Sequence, residues 1–266
     1  MADPWAVSLP PVDPVDPKEQ VRRGYDAVSA RYRGDDDVDE HYAEWETLLR
    51  QRVTPGGRVL DLGCGCGVPL ARLLSVRYQV VGVDISPVQV GRARRLVPAA
   101  SFVQGDMTEI DFEAGAFHAA VSLFALIHVP LAEQPAMLRR IAAWLRPGGW
   151  LLATVGERAW TGTEDDWLGG GATMYWSHAD ADSYRTWLAE AGFVIDVDRF
   201  VPEGEGGHRL LLAWLRSAAA GQPGERPKRR RRSEFATTLT EDRAMAAPAI
   251  TGLSRPRAAS GMAATL

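Results

Sequence analysis

Between Arg58 and Leu215 short β-type apolar runs alternate with helical segments, and this alternation is the strongest constraint on the fold. It is the pattern of a parallel sheet covered by helices on both faces. The expected strands are Arg58–Leu62, Gln79–Asp84, Ala100–Gln104, Ala119–Leu123, Trp150–Val155, Phe193–Val201 and Arg209–Leu215. Helices are expected near Pro69–Leu74, Ser86–Leu96, Leu131–Leu145 and Asp180–Ala191, with Arg146-Pro147-Gly148-Gly149 and Gly192 as stop signals. Only Pro202–Gly207 joins the last two strands, too little for a parallel crossover, so they should form an antiparallel hairpin at one edge. The fold class is α/β: a doubly wound, seven-stranded, mostly parallel sheet.

Upstream of the sheet, Val21, Tyr25, Val28 and Tyr32 recur at spacings of three and four, so Lys18–Arg33 is expected to be a helix with one apolar face. A second amphipathic segment runs through Tyr42, Trp45, Leu48 and Leu49 to about Val53. The domain is expected over residues 18–216, with 18–53 as its helical lead element. Residues 1–17 carry five prolines and form an extended lead-in. After Ser217 periodicity is lost around Lys228-Arg229-Arg230-Arg231-Arg232, and 217–266 is expected to be a disordered tail. That tail holds nine Lys/Arg against four Asp/Glu and leaves the rest acidic, so nucleic-acid binding by the folded part is not expected. The basic run reads as a solvated tail or as an attachment to RNA or a membrane surface. No apolar run approaches the ~20 residues of a membrane span, and residues 1–17 lack the basic and apolar regions of a signal peptide. The two cysteines, Cys64 and Cys66, stand too close for a structural disulfide and too few for a four-ligand zinc site. A cytoplasmic protein is expected.

The chemistry concentrates after the first strand. Val59-Leu60-Asp61-Leu62 ends in the turn Gly63-Cys64-Gly65-Cys66-Gly67, whose alternating glycines let the backbone turn sharply and approach a ligand closely. The next strand ends in Asp84, about twenty residues on, where a carboxylate can accept from both hydroxyls of a ribose. A dinucleotide fingerprint would require glycine at position 68, where this chain has Val68. The run from Val59 to Gly67 resembles motif I of the class I S-adenosylmethionine-dependent methyltransferases at every position. The resemblance continues through Val80–Ser86, Gly105-Asp106-Met107 and Leu145–Gly149, and covers about Tyr25 to Leu215.

That resemblance implies a Rossmann-like methyltransferase fold with an N-terminal helical lid over 18–53. It also implies S-adenosylmethionine as cofactor, contacted by Tyr32, Asp61, Gly63, Cys64, Gly65, Asp84, Ile85, Asp106, Met107 and Ser122. Asp61 would support the turn and the cofactor's amino group, Asp84 would hold the ribose, Asp106 and Met107 the adenine. Asp106 also reads as a plain turn residue, and the cysteines as small turn residues.

The bound sulfonium is already activated, so a base is needed only where the nucleophile carries a proton. His128, just past the fourth strand, and His178, after the aromatic cluster, are the candidates, because histidine titrates near neutrality. His128 reads equally as orienting the helix that follows Pro130, and His178 as an N-terminal helix residue beside a Ser177 cap. His41, His118 and His208 are read as structural. Tyr25, Trp160, Tyr175 and Trp176 are the expected substrate contacts, the last three on a Gly169–Gly171-centred loop from Glu157 to Trp176. Helix packing and a patch over the sheet edge are the alternatives for them. Ser122-Leu123-Phe124 lacks both the acidic-or-Asn, Pro-Pro run of amino-directed DNA methyltransferases and a Pro-Cys nucleophile, and offers no carboxylate for magnesium. No metal is expected. The function expected is methyl transfer to O, N, S or C of a small molecule, with secondary metabolism as its setting. Rival readings are a protein or RNA methyltransferase docking through the basic tail, a non-catalytic cofactor-binding scaffold, and an NAD-linked oxidoreductase disfavoured by Val68 and by Asp61.

Overall fold

Val59, Leu60 and Leu62 are fully buried although they project alternately from the two faces of one strand, so that strand must be covered on both sides. The computed structural model describes residues 15–204 and 206–217. Strand β1 (Arg58–Leu62) lies at the centre of a seven-stranded sheet with β2 (Gln79–Asp84), β3 (Ser101–Gln104), β4 (Phe117–Ser122), β5 (Leu145–Gly156), β8 (Phe193–Glu203) and β9 (Gly206–Leu215). The order is β3-β2-β1-β4-β5-β9-β8; the first five strands pair in parallel, and β9 is antiparallel to both neighbours. The hairpin expected from the short Pro202–Gly207 connection is β8–β9.

Two core layers result. Val59 packs with Trp45 and Leu49 of α2 (Glu40–Arg50), with α3 (Leu70–Ser75) and with α4 (Pro87–Leu96). Leu60 and Leu62 pack on the other face with Met137 and Ile141 of α5 (Gln134–Trp144) and Tyr184 and Leu188 of α6 (Ala181–Glu190). Strand order reverses between β1 and β4, so the loops leaving them part to opposite faces and open a crevice at their carboxyl ends.

Local chemistry sets the helix starts. Asp16 caps α1 (Pro17–Tyr32), accepting from Lys18 N at 3.0 Å, with Pro17 in the first turn where its missing N–H costs nothing. Ser86 caps α4 in the same way, accepting from Gln89 N at 3.0 Å. The segment expected as one helix from Leu131 is a 3₁₀ turn, Leu131–Glu133, followed by α5, whose first turn takes Pro135. Strand β5 begins at Leu145 rather than Trp150: Leu145 pairs with Phe117, and pairing resumes at Trp150 with Ala119, so Arg146–Gly149 bridges a register shift instead of preceding the strand.

The larger departure lies between Glu157 and His178. In place of a loop there is a second, two-stranded sheet, β6 (Trp160–Glu164) and β7 (Met174–His178), with Trp160 opposite His178. Its strands are short, and Gly162, Asp165-Asp166 and Gly169–Gly171 are loop signals, so sequence periodicity does not reveal it. Tertiary contact holds it: Met174 and Trp167 are buried against Val21 and Val28 of α1. The approach is close enough that a Cβ on Gly24 would lie 2.6 Å from Met174 Cε. His178 is therefore a strand residue and not part of a helix, and the cap of α6 is Asp180, accepting from Ser183 N at 2.8 Å. Ser177 instead accepts from Leu131 N at 3.1 Å.

The lead-in before residue 15 and the tail after Ser217, including Lys228–Arg232, lie outside the described residues. Among the described residues no helix is long and apolar enough to cross a membrane.

Candidate active site

Past Leu62 the chain turns through Gly63 and Gly65, both at positive φ (75° and 55°). Gly63 has a second reason to be glycine, because a Cβ there would collide with the Ala125 methyl. At Gly65 a Cβ would meet nothing within 4 Å, since the backbone there faces open space. The turn is tied to β2 by Gly63 N and Cys64 N, which donate to Val83 O at 2.8 and 3.0 Å. Gly65 N donates to Asp84 Oδ2 at 2.8 Å, and Ser86 N to Asp84 Oδ1 at 2.9 Å. Each Asp84 oxygen thus keeps an unused lone pair while the carboxylate is held rigid. Burial pushes its pKa up to about 6, against the pull of those two amides.

Two adjoining cavities meet at this turn. The larger, about 680 Å³, is lined by Gly63, Gly65, Asp84, Ile85, Gly105, Asp106 and Met107 on one side and by Val21, Tyr25, Tyr32, Phe124, Ala125, His128 and Val129 on the other. The smaller, about 420 Å³, contains Asp61, Cys64, Cys66, Arg33 and Tyr42, and shares Tyr32, Gly63, Gly65 and Leu123 with the first. Asp61 is buried, its Oδ2 has no hydrogen-bond partner, and burial with the nearby Asp84 charge raises its pKa to about 7. Ser122 is fully buried with an unpartnered hydroxyl and lines neither cavity; Leu123 takes that place in both.

Asp106 is engaged from two directions. Its Oδ1 accepts from Thr108 N at 2.8 Å and Thr108 Oγ1 at 2.9 Å, and its Oδ2 meets Lys18 Nζ at 2.9 Å. Lys18 also reaches Glu133 Oε2 at 2.6 Å, so it ties the first turn of α1 across the large cavity. Burial works to lower its pKa, but hydrogen bonds to the two carboxylates outweigh this and raise it. Sequence reasoning missed Lys18; the one available hint is that it is one of only two lysines, with Lys228, in a chain that otherwise uses arginine.

His128 ends the 3₁₀ turn Leu126–His128 and is buried. Its Nδ1 lies 2.7 Å from the Tyr175 carbonyl, which only accepts, so Nδ1 carries the proton. Nε2 is then an acceptor, and the Tyr25 hydroxyl, 3.0 Å away, donates to it. Burial lowers the His128 pKa to about 4 and raises that of Tyr25, so both are neutral near pH 7. The Trp176 ring lies 4.3 Å from the imidazole, and Trp167 packs edge-on against Tyr25 at 5.2 Å. Three elements distant in sequence, α1, β7 and the turn after β4, therefore converge on one hydrogen bond.

Not every expected residue joins them. His178 lines neither cavity; its Nδ1 donates to the Arg158 carbonyl at 2.6 Å and so braces the turn between β5 and β6. Trp160, opposite it, is also outside both cavities and partly exposed. Tyr175 and Trp176 act behind His128 rather than on the cavity wall. Among the described residues, no group of three or more His, Cys, Asp or Glu side chains is placed to hold a metal ion.

Residues 59–149 match the sequence model of a methyltransferase domain. An uncharacterised methyltransferase of Synechocystis sp. is 36% identical over 97 residues, covering 36% of this chain and 46% of that protein. A trans-aconitate 2-methyltransferase of Methylobacterium nodulans is 29% identical over 192 residues, covering 64% of this chain and 71% of its own length. The chain spans less than half the length of several curated relatives it matches. Among solved structures, magnesium protoporphyrin IX methyltransferase from Synechocystis, crystallised with S-adenosylmethionine, superposes with a TM-score of 0.59 at 21% identity, covering 77% of this chain and 99% of that one. With the sheet order, these matches give residues 59–149 the sequence of a methyltransferase domain and the described chain the fold of solved S-adenosylmethionine-dependent methyltransferases.

Proposed function

We propose that this chain transfers the methyl group of S-adenosylmethionine to a small-molecule acceptor seated against Tyr25 and His128. The observation that carries this is the sharing of one cavity: the glycine turn, Asp84 and Asp106 line the same 680 Å³ space as the Tyr25–His128 pair. The residues suit the cofactor: Asp84 retains acceptor capacity for a ribose, Asp61 carries a buried oxygen without a partner, and the backbone at Gly65 leaves space for close approach. A small-molecule acceptor is also what the name of the trans-aconitate relative specifies for that protein.

S-adenosylmethionine supplies an activated methyl group on a sulfonium, and the protein contributes alignment and exclusion of water. α1 covers the cavity and is held shut by Lys18 at one end and by Tyr25 in the middle. An acceptor entering beside Ala125 and Phe124 replaces the Tyr25 hydroxyl at Nε2 of His128, and a nucleophile that carries a proton donates it there. Because Nδ1 is fixed by the Tyr175 carbonyl, the imidazole presents its lone pair without a tautomer change. A base that titrates so low favours nucleophiles that lose their proton late, as the methyl bond forms.

Calorimetric titration with S-adenosylmethionine, S-adenosylhomocysteine and NAD tests the cofactor. Mass-spectrometric screening of phenols, hydroquinones, carboxylic acids, amines and thiols then tests the acceptor. Binding of NAD in preference to the sulfonium would overturn the proposal. Cofactor binding without product from any acceptor would replace it with a non-catalytic scaffold.

A further inference from the structure

Phe124 has a backbone conformation that its side chain disfavours. Just past β4 it takes φ 55°, in the left-handed region that bulky residues avoid. It is held there by its N–H, which donates to the hydroxyl of Thr154, a fully buried residue of β5. Its ring packs edge-on against His208 at 5.2 Å and lines the larger cavity beside Ala125 and His128. A bulky residue kept in that region by its surroundings marks a place where the position of the side chain is used. We infer that Phe124 is the platform for the acceptor, and that the acceptor is an uncharged phenol whose ring lies on Phe124 and whose hydroxyl donates to Nε2 of His128. This rests on the proposed methyl transfer and adds to it the chemical class of the substrate.

Three observations select that class. The first is charge. Among the described residues, Lys18, Asp84 and Asp106 are the charged side chains that line the larger cavity. Lys18 is engaged by Asp106 at 2.9 Å and Glu133 at 2.6 Å, Asp106 also by Thr108, and Asp84 is tied to the glycine turn. Around Phe124 and His128 the wall is Tyr25, Tyr32, Leu123, Ala125 and Val129, so a carboxylate or an ammonium would be desolvated there without a counter-ion. Arg33 lines the smaller cavity and not this one. The second is the group that Nε2 already accepts. Tyr25 places a phenol hydroxyl 3.0 Å from it, with the ring edge-on to the imidazole at 5.4 Å, and so stands in for a substrate of its own class. A thiol is a weak donor and does not match that hydrogen bond. The third is proton transfer. Burial lowers the His128 pKa to about 4, which makes it a weak base, and a phenol gives up its proton far more readily than an aliphatic alcohol. Once Tyr25 has turned aside, the phenol oxygen bonds to the methyl carbon as the carbon–sulfur bond breaks. The electron pair of that bond stays on sulfur, and the phenol proton goes to Nε2.

The test uses naphthalene probes that differ in one substituent, titrated by calorimetry into the full chain saturated with S-adenosylhomocysteine. At neutral pH 2-naphthol is uncharged, 2-naphthoate is an anion and 2-naphthylmethylamine is a cation. 2-Naphthol is expected to bind at least about tenfold more tightly than either, and about fivefold more tightly than 2-methoxynaphthalene, which has the ring without a donor. Phe124→Leu keeps an apolar side chain on the same backbone and removes the ring. It should weaken 2-naphthol binding about tenfold and leave S-adenosylhomocysteine within about twofold, whereas a purely structural role would weaken both. Preference for the naphthoate or the amine, equal binding of the ether, or no binding of any probe to the saturated protein would overturn the phenol class and leave the cofactor assignment standing. Unchanged 2-naphthol affinity in Phe124→Leu, or equal weakening of both ligands, would overturn the platform. Failure of S-adenosylhomocysteine to bind the folded wild-type chain would overturn the proposed function and this inference together.

Discussion

The two sides of the crevice are built by different means. On the β1–β2–β3 side the cavity wall is main chain and strand ends: Gly63, Gly65 and Asp84 are joined by four hydrogen bonds to backbone amides within one stretch of about twenty residues. On the β4 side it is made of side chains from α1 and the turn after β4, backed by β7 and tied down through Lys18–Asp106, Tyr25–His128 and the His128 contact to the Tyr175 carbonyl. The first side can change little without breaking its own hydrogen bonds. The second can change its residues and keep the fold. A methyl donor common to many enzymes belongs with a rigid local frame, and an acceptor that varies among enzymes belongs with separable side chains.

Breaking the rigid side should cost most. Asp84→Ala releases Gly65 N and Ser86 N and, under the proposed cofactor placement, would remove two ribose hydrogen bonds; it is expected to weaken S-adenosylhomocysteine binding by about 2–4 kcal/mol. Calorimetry measures it, and unchanged affinity would remove Asp84 from the site. On the other side, His128→Ala is expected to lower kcat for a proton-bearing acceptor by about a hundredfold and to leave cofactor affinity within about twofold. Loss of cofactor affinity instead would mean that the two sides are not separable.

Lys18→Ala should have a smaller effect, about 1 kcal/mol on the closure of α1, since its two ion pairs are only partly buried. It is expected to show as faster proteolysis or amide exchange of residues 17–32, and increased protection would contradict a latch.

The two sides also oppose each other in pH dependence. Asp61 and Asp84 bind protons more tightly folded than unfolded, so their contribution to stability is present at low pH and lost as pH rises from about 4 to about 7. His128, lowered from 6.5 to about 4, stabilises the fold above about 6.5 and that contribution is lost as pH falls toward 4. Asp61→Asn should therefore reduce the fall in Tm between pH 5 and 8, and His128→Ala the fall between pH 6.5 and 4, each by a few degrees. The smallest expected effect is a proton count: Asp61, near half protonated at pH 7, releases up to about half a proton when an ammonium binds beside it. Titrations in phosphate and Tris would show different enthalpies; identical values would argue against Asp61 as the ammonium site.

The rigid side was almost fully legible beforehand. Arg58–Leu62 and Gln79–Asp84 are apolar runs that end where the strands end, and the Ser86 cap with Pro87 marks the start of α4. On the second side Tyr25 and His128 could be named as candidates, yet nothing local says that they touch. His178 was as good a candidate as His128 until β7 carried it to the far side of the hairpin. Ser122 was expected at the cavity on the rule for strand ends, but its side chain turns into the protein and Leu123 lines the space. Lys18 and Arg33 leave no periodic trace, because one charged residue at a helix end is ordinary until its partners are known.

By itself the sequence determined the doubly wound sheet, the edge hairpin and the glycine turn between two carboxylate-ended strands. These depend on interactions within a few residues or on an apolar period that repeats along the chain. Only the tertiary structure decided that Tyr25 meets His128, that Lys18 spans to Asp106, that Arg33 and Asp61 share a cavity, and that Trp160–His178 is a hairpin. Each of those contacts depends on packing between elements that no local pattern in the sequence records, as where Val21 and Val28 of α1 meet Met174 of β7.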